Sequence, residues 1–203
     1  MTEKHHSIKL PRPRFKGKIS VEQAVRLRRS TRNFPGKPIA LEQLSQLLWA
    51  AQGVTGAYNE RTVPSAGGTF PVEMYVVAGN VTDLPAGIYK YKPRVHALDF
   101  VCAGDRREEL ADAAIQQNCV ARGAASIVLA AVYERTTAEY GERGVQYVHM
   151  EIGHVGQNIH LQAVSLGLGA VAVGAFEDHA VADLLGLPRN EKPLYILPVG
   201  LLP

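Results

Sequence analysis

Apolar residues recur at two periods along this 203-residue chain, and the two periods mark out its elements. The strongest pattern lies between 144 and 166. Val145, Val148, Ile152, Val155, Ile159, Ala163 and Leu166 recur every three or four positions. That spacing predicts a helix of about 23 residues, about 34 Å long. Gly153 and Gly156 interrupt it, each costing roughly 1 kcal/mol relative to Ala in a helix interior. Such residues are tolerated where another backbone approaches closely, either inside one core or from a second subunit.

Earlier in the chain, Ser20-Val21-Glu22-Gln23 reads as a capping box, since Ser and Gln three apart satisfy two orphan N–H groups. The helix it opens carries Val21, Ala24, Val25 and Leu27 and runs into Arg28-Arg29-Ser30-Thr31-Arg32. A second helix places Leu41, Leu44, Leu47, Leu48 and Ala51 at helical spacing, with Gly53 near its end. Asp105 with Glu108 predicts a third through about Asn118, and a short one at 179–185 ends at Gly186. Strands are expected at 72–78, 87–91 and 96–101, the last two joined by the turn Lys92–Val95. Residues 125–133 form a nearly unbroken apolar run, as in a central strand covered on both faces. Residues 167–176 read as loop and strand, and 194–199 as a final strand. Uneven interleaving with a hairpin favours an α+β fold over a doubly wound sheet. Pro11, Pro13 and Gly17 set apart a basic N-terminal arm at 1–19, followed by a single domain at 20–203.

Charge sharpens this division. The net charge is +3, but residues 1–37 carry eleven Lys/Arg and two Glu, so +9, and the remainder is −6. The composition, 46% hydrophobic and 20% charged, is that of a globular protein. No apolar run approaches the roughly 20 residues of a bilayer span, and the start lacks the apolar stretch of a signal peptide. The expectation is a soluble, cytoplasmic protein with no membrane partner. Two cysteines, Cys102 and Cys119, are too few for a disulfide scaffold.

Several chemistries find little support. Gly167-Leu168-Gly169-Ala170-Val171-Ala172 fits a dinucleotide fingerprint, but a long helix precedes it and a strand-like run follows, the reverse of the required order. His149 and His154 are five apart, about 140° around a helix, so they cannot bind a metal from one face. Glu151 and His154 could meet as a structural hydrogen bond, and His5 and His6 lie in the arm. No metal site is expected. Ser65 lacks a nucleophile elbow, and no phosphate loop occurs. Nucleic acid is not expected on an acidic body without aromatic–basic interleaving. Lys4, Lys9, Arg12, Arg14, Lys16 and Lys18 read as a solvated arm. Arg28, Arg29, Ser30 and Arg32 are different. Three guanidiniums and a hydroxyl within five residues suit phosphate oxygens, although a helix C-terminus also favours cations.

Arg28-Arg29-Ser30-x-Arg32 followed by Pro64-Ser65-Ala66-Gly67-Gly68 resembles the FMN-dependent nitroreductase superfamily, in particular the branch with the thiazoline/oxazoline dehydrogenases. The likeness continues through Tyr140-Gly141-x-Arg143, Glu151-x-Gly153-His154-x-x-Gln157-Asn158, Leu166–Gly169, Val173-Gly174-Ala175-Phe176, Leu184–Leu187, Glu191-x-Pro193-Leu194-Tyr195 and Val199-Gly200. It spans roughly residue 20 to the C-terminus.

The resemblance implies a nitroreductase-like α+β fold, a central mostly antiparallel sheet flanked by helices, in an intertwined homodimer with FMN at each subunit interface. Arg28, Arg29 and Arg32, with Ser30, would serve the phosphate and ribityl end. Pro64, Ser65, Ala66, Gly67 and Gly68 would line the flavin from the other subunit. Val173, Gly174 and Ala175 would face the ring, with a backbone N–H towards N5, and Gln116 or Gln117 would reach it. The implied activity is hydride transfer from NADH or NADPH through flavin N5 to a nitroaromatic, quinone or similar small-molecule acceptor, by ping-pong turnover. An azoline dehydrogenase, or a flavin-binding or sensing protein with little turnover, are the alternatives. Where azoline-oxidising members carry a Lys-Tyr pair, this chain has Glu139-Tyr140, candidate catalytic residues with a carboxylate in place of the Lys. After Val199-Gly200 the basic residue frequent in the family is replaced by Leu201-Leu202-Pro203.

Overall fold

A seven-stranded sheet divides the hydrophobic interior into two layers of helix contact. The computed structural model describes residues 7–203, so Lys4, His5 and His6 of the arm lie outside the described residues. Strand β1 (Ser7–Lys9) precedes α1 (Val21–Leu27), β2 (Ile39–Ala40) and α2 (Leu41–Gln52). Next come β3 (Val72–Ala78), β4 (Val81–Thr82), β5 (Gly87–Lys92), β6 (Ala97–Ala103), α3 (Arg107–Ala113) and α4 (Asn118–Arg122). The chain continues through β7 (Ala125–Ala131), α5 (Glu134–Tyr140), α6 (Arg143–Ser165), β8 (Leu168–Ala170), α7 (Asp178–Leu185) and β9 (Lys192–Leu201).

The main sheet has the order β1-β6-β5-β3-β7-β9-β8, and every neighbouring pair is antiparallel. With helices on both sides, this is the α+β architecture expected. β2 and β4 form a separate two-residue parallel pair. Strand side chains alternate between faces. Met74, Val76, Ile127, Leu129 and Leu197 pack with Leu44, Leu47 and Leu48 of α2 and Val155 and Ile159 of α6. Tyr75, Val77, Val128 and Ile196 face the other way, towards Leu110, Val120, Val181 and Leu185 of α3, α4 and α7. All seven residues of β7 are buried, which is why its sequence shows no polar alternation.

The Ser20–Gln23 capping box forms as expected. The region after Asp105 differs from expectation. Arg106, with no side-chain cap bond, starts α3, which ends at Ala113. Ile115 and Gln116 then adopt φ of 58° and 55°, breaking the helix before α4. Asp105 instead accepts from the Arg107 amide and guanidinium. The short helix α5 has no counterpart in the hydrophobic pattern, because Thr136 is its one buried residue.

The N-terminal segment departs from a solvated arm in its backbone. β1 pairs with β6, Leu10 is buried, and Gln46 of α2 exchanges two hydrogen bonds with the Arg14 backbone. His96 fixes the segment further. Ser45 Oγ donates to the Pro11 carbonyl at 2.6 Å and accepts from His96 Nε2 at 2.8 Å. Tyr91 Oη lies 2.9 Å from His96 Nδ1 and donates to it. One neutral tautomer satisfies this arrangement, and burial holds the His96 pKa below its usual value. Lys9, Arg12, Arg14, Lys16 and Lys18 nevertheless remain exposed.

Candidate functional site

Two groups of the expected residues gather at different places on the protomer. The first is built where the chain leaves α1. Arg28 caps that helix, and the following residues attach to the sheet edge: Ser30 bridges Ala170 in parallel, and the Thr31 amide donates to the Ala170 carbonyl at 2.9 Å. This contact needs Gly169, because a Cβ there would lie 2.7 Å from the Thr31 side chain. The glycine-rich tract therefore lets a neighbouring segment approach, and does not open a dinucleotide-binding helix.

Arg28 is half-buried and lines a cleft of about 180 Å³ with Gly153, Gly156, Gln157, His160, Ala172 and Tyr195. Arg29 donates to the carbonyls of Arg26 and Arg28, and both Arg29 and Arg32 are exposed. Among the described residues, none of Arg28, Arg29 and Arg32 forms an ion pair. The Arg28 guanidinium, without an ion pair in a cleft that has no acidic wall, suits an anionic ligand such as a phosphate monoester. Tyr195 floors the cleft and packs about Gly156 and Gly174, where added Cβ atoms would meet its ring at 3.6 Å. Gly153 meets nothing within 4 Å. It therefore leaves open space beside the cleft.

Val173 exchanges two hydrogen bonds with Ile196, which directs Gly174 and Ala175 outward into exposed positions. Their amides have no backbone acceptor among the described residues. The loop with Gln116 borders this segment, since Gln117 Nε2 donates to the Ala175 carbonyl at 3.1 Å. Gln116 itself is exposed. The donor set of this group (guanidiniums, free amides and a glycine-walled cleft) fits a phosphorylated flavin.

The second group contains Pro64–Gly68, which lies against α5 and α6 and shares no wall of the Arg28 cleft. Ser65 Oγ accepts from the Phe70 amide, and Gly67 has φ of 58°. A Cβ on Gly67 would lie 2.6 Å from Glu139 Oε2 and 2.8 Å from Tyr140 Oη. The loop and the Glu139–Tyr140 pair therefore form one surface. Partial desolvation, then the Glu139 carboxylate, push the Tyr140 hydroxyl pKa up. Beneath the loop, Glu151 is buried and accepts from Gln52 Nε2, whose own Oε1 accepts from Arg61. Burial pushes the Glu151 carboxyl up, while hydrogen bonds from Ser65 and Gln52 oppose the shift. Glu151 thus turns inward, and the expected hydrogen bond to His154 is not among those formed by the described residues.

Sequence reasoning missed His160 as a site residue, and named Gln157 and Tyr195 only within motifs, without a role. The signal present was spacing: Gly153, Gly156 and His160 fall on one stripe of α6. Among the described residues, no group of three or more His, Cys, Asp or Glu is placed to hold a metal, and no helix is long and apolar enough to cross a membrane.

This fold, an antiparallel sheet with helices on both faces, is that of an oxidoreductase family. Residues 25–201 match the Nitroreductase family model, and the chain belongs to that family. It is 45% identical over 182 residues to a Methanocaldococcus jannaschii protein named as a nitroreductase, MJ1384, covering 90% of this chain and 91% of that one. It is 30% identical over 138 residues to the trifolitoxin-processing protein TfxB of Rhizobium leguminosarum bv. trifolii, covering 66% of this chain and 37% of TfxB. A crystal structure of a nitroreductase-named protein from Ralstonia eutropha JMP134 superposes with a TM-score of 0.85 at 31% identity, covering 97% of this chain and 90% of that one. The similarity to TfxB supports the branch that the motifs resemble.

Proposed function

We propose that this protein is an FMN-dependent NAD(P)H oxidoreductase acting on a nitroaromatic, quinone or similar acceptor. One observation carries the reading: Arg28, without an ion pair among the described residues, lines a glycine-walled cleft that has no acidic residue, and Tyr195 of the same cleft packs against Gly174, whose amide has no backbone acceptor among the described residues. Bound FMN would supply hydride transfer between the nicotinamide and the acceptor. Arg28 and Arg32, with Arg29 and Ser30, would hold its phosphate end by charge-assisted hydrogen bonds. Val173 would hold the ring-facing backbone in place, and the amides of Gly174 and Ala175 would donate to the ring edge. Tyr195 would close the cleft floor against water.

The separation of Pro64–Gly68 from the Arg28 cleft favours a homodimer in which the two half-sites come from different copies. The exposed apolar side chains of α1 and α6, Val21, Val25, Leu27, Val145 and Met150, supply surface for that contact. Both substrates would then use one open face in turn, giving ping-pong kinetics. The contact of Glu139 and Tyr140 with Gly67 favours a second reading, an azoline dehydrogenase in which the carboxylate accepts a substrate proton.

Arg28→Ala and Arg32→Ala should each weaken FMN binding by about 10- to 100-fold, the loss of about 1.5–3 kcal/mol for a charged hydrogen bond. Unchanged affinity in both variants overturns the site. Anaerobic mixing with NADH and NADPH tests turnover: visible flavin absorbance persisting with both would leave a flavin-binding or sensing protein. Conversion of a thiazoline-containing peptide would identify the second reading.

A further inference from the structure

The Arg28 cleft holds a polar side chain whose role lies outside the motif assignments. His160, in the penultimate turn of α6, is 7% exposed. Its side chain lines the cleft with Arg28, and it makes no hydrogen bond among those of the described residues. None of the residues lining the cleft is acidic. Its ring nitrogens are not among the buried polar atoms left without a partner, so they open onto the cleft, where a ligand can reach them.

Its position gives the cleft a direction. Gly153, Gly156 and His160 lie on one stripe of α6, with His160 about 10 Å along the axis from Gly153. Gly153 leaves the wall open at one end, while His160, with Arg28 beside it, lies at the other. A ligand lying along this stripe would present its most anionic group to the end with Arg28 and His160.

We infer that His160 is a cofactor-contacting residue that recognises the flavin phosphate together with Arg28, and so sets the preference for FMN over riboflavin. The inference rests on the FMN reading above. Burial first, then the neighbouring Arg28, hold the imidazole pKa down, so the free protein carries it neutral near pH 7. A neutral ring still has one N–H to donate to a phosphate oxygen. The remaining polar groups around it, Gln157 and Tyr195, carry no charge that would compete for the anion.

The test is a titration of the flavin-free full-length protein with FMN and with riboflavin, followed by flavin fluorescence. His160→Ala should weaken FMN by about tenfold and leave riboflavin within about twofold. His160→Gln keeps a donor and should recover most of the FMN affinity. His160→Phe fills the space without a donor and should behave like His160→Ala, which separates recognition from packing. Equal losses for FMN and riboflavin, or no loss in either, overturn the inference. If Arg28→Ala weakens FMN while His160→Ala and His160→Phe do not, only the assignment of His160 falls. If none of the three affects FMN, the flavin site itself falls with it.

Discussion

Gly67 offers a direct probe of the contact between the Pro64–Gly68 loop and α5, and Gly68 is its internal control. Both glycines have positive φ, 58° and 66°. An alanine at either position adopts the left-handed region, costing about 1–2 kcal/mol. Reduced freedom of the unfolded chain offsets about 0.4–1 kcal/mol of this. A net loss of about 1 kcal/mol lowers the Tm of a domain this size by about 2–4 °C. Only at Gly67 does the new Cβ meet close neighbours, Glu139 Oε2 at 2.6 Å and Tyr140 Oη at 2.8 Å. At Gly68 the nearest atom is Phe70 Cε2 at 4.0 Å. The Glu139 and Tyr140 side-chain ends can move aside, at an off-rotamer cost of about 0.5–1.5 kcal/mol. Gly67→Ala is therefore expected to lose about 1–3 kcal/mol and Gly68→Ala about 1 kcal/mol, read by circular dichroism melting. Turnover should separate them more, because only Gly67→Ala displaces the Glu139–Tyr140 pair. Equal melting and equal turnover of the two variants would refute the contact.

Glu151→Gln tests the buried network under the same loop. The Glu151 pKa is raised above its ordinary 4.5, so the folded state takes up its proton more readily than the unfolded chain. Its contribution to stability is present below 4.5 and lost as pH rises through the folded value. The stability of Glu151→Gln relative to wild type should therefore increase from pH 4 to pH 7, and a constant difference would contradict the burial. His96 has the opposite sign. Its pKa lies below 6.5, so its contribution is intact above 6.5 and lost as pH falls below it. His96→Gln should flatten the acid limb of the stability curve just below pH 6.5, leaving the part due to His160, and at lower pH the parts due to Glu73 and Asp105, whose pKa values are also held down. Ser45→Ala removes a donor to Pro11 and an acceptor for His96, costing about 1–3 kcal/mol in urea unfolding.

Much of the secondary structure was legible because its signals are local. The 3.6 period of α6, the box at Ser20 and Gln23, and the apolar run of β7 depend on residues a few positions apart. β3 appears at its expected limits for the same reason. Elements without an apolar stripe were not legible. α5 buries one side chain, and the break at Ile115–Gln116 carries neither glycine nor proline. The basic composition of the N-terminal segment suggested solvation, and its charges are solvated, but its backbone is held by Gln46, Ser45 and His96, which lie at least 32 residues away.

The sequence by itself determined the α+β class and the ordered motifs that place the chain in its family. It also identified Arg28, Arg29 and Arg32 as a cation cluster apart from the basic arm. Only the tertiary structure decided that Arg28 shares a cleft with His160 and Tyr195, and that Gly67 rests on Glu139 and Tyr140. The physical reason is distance along the chain. Periodicity fixes which face a residue occupies on its own element, but not which other face it meets. That depends on sheet pairing and on the path of α6 across the sheet, where side chains more than a hundred positions apart in sequence close one cleft.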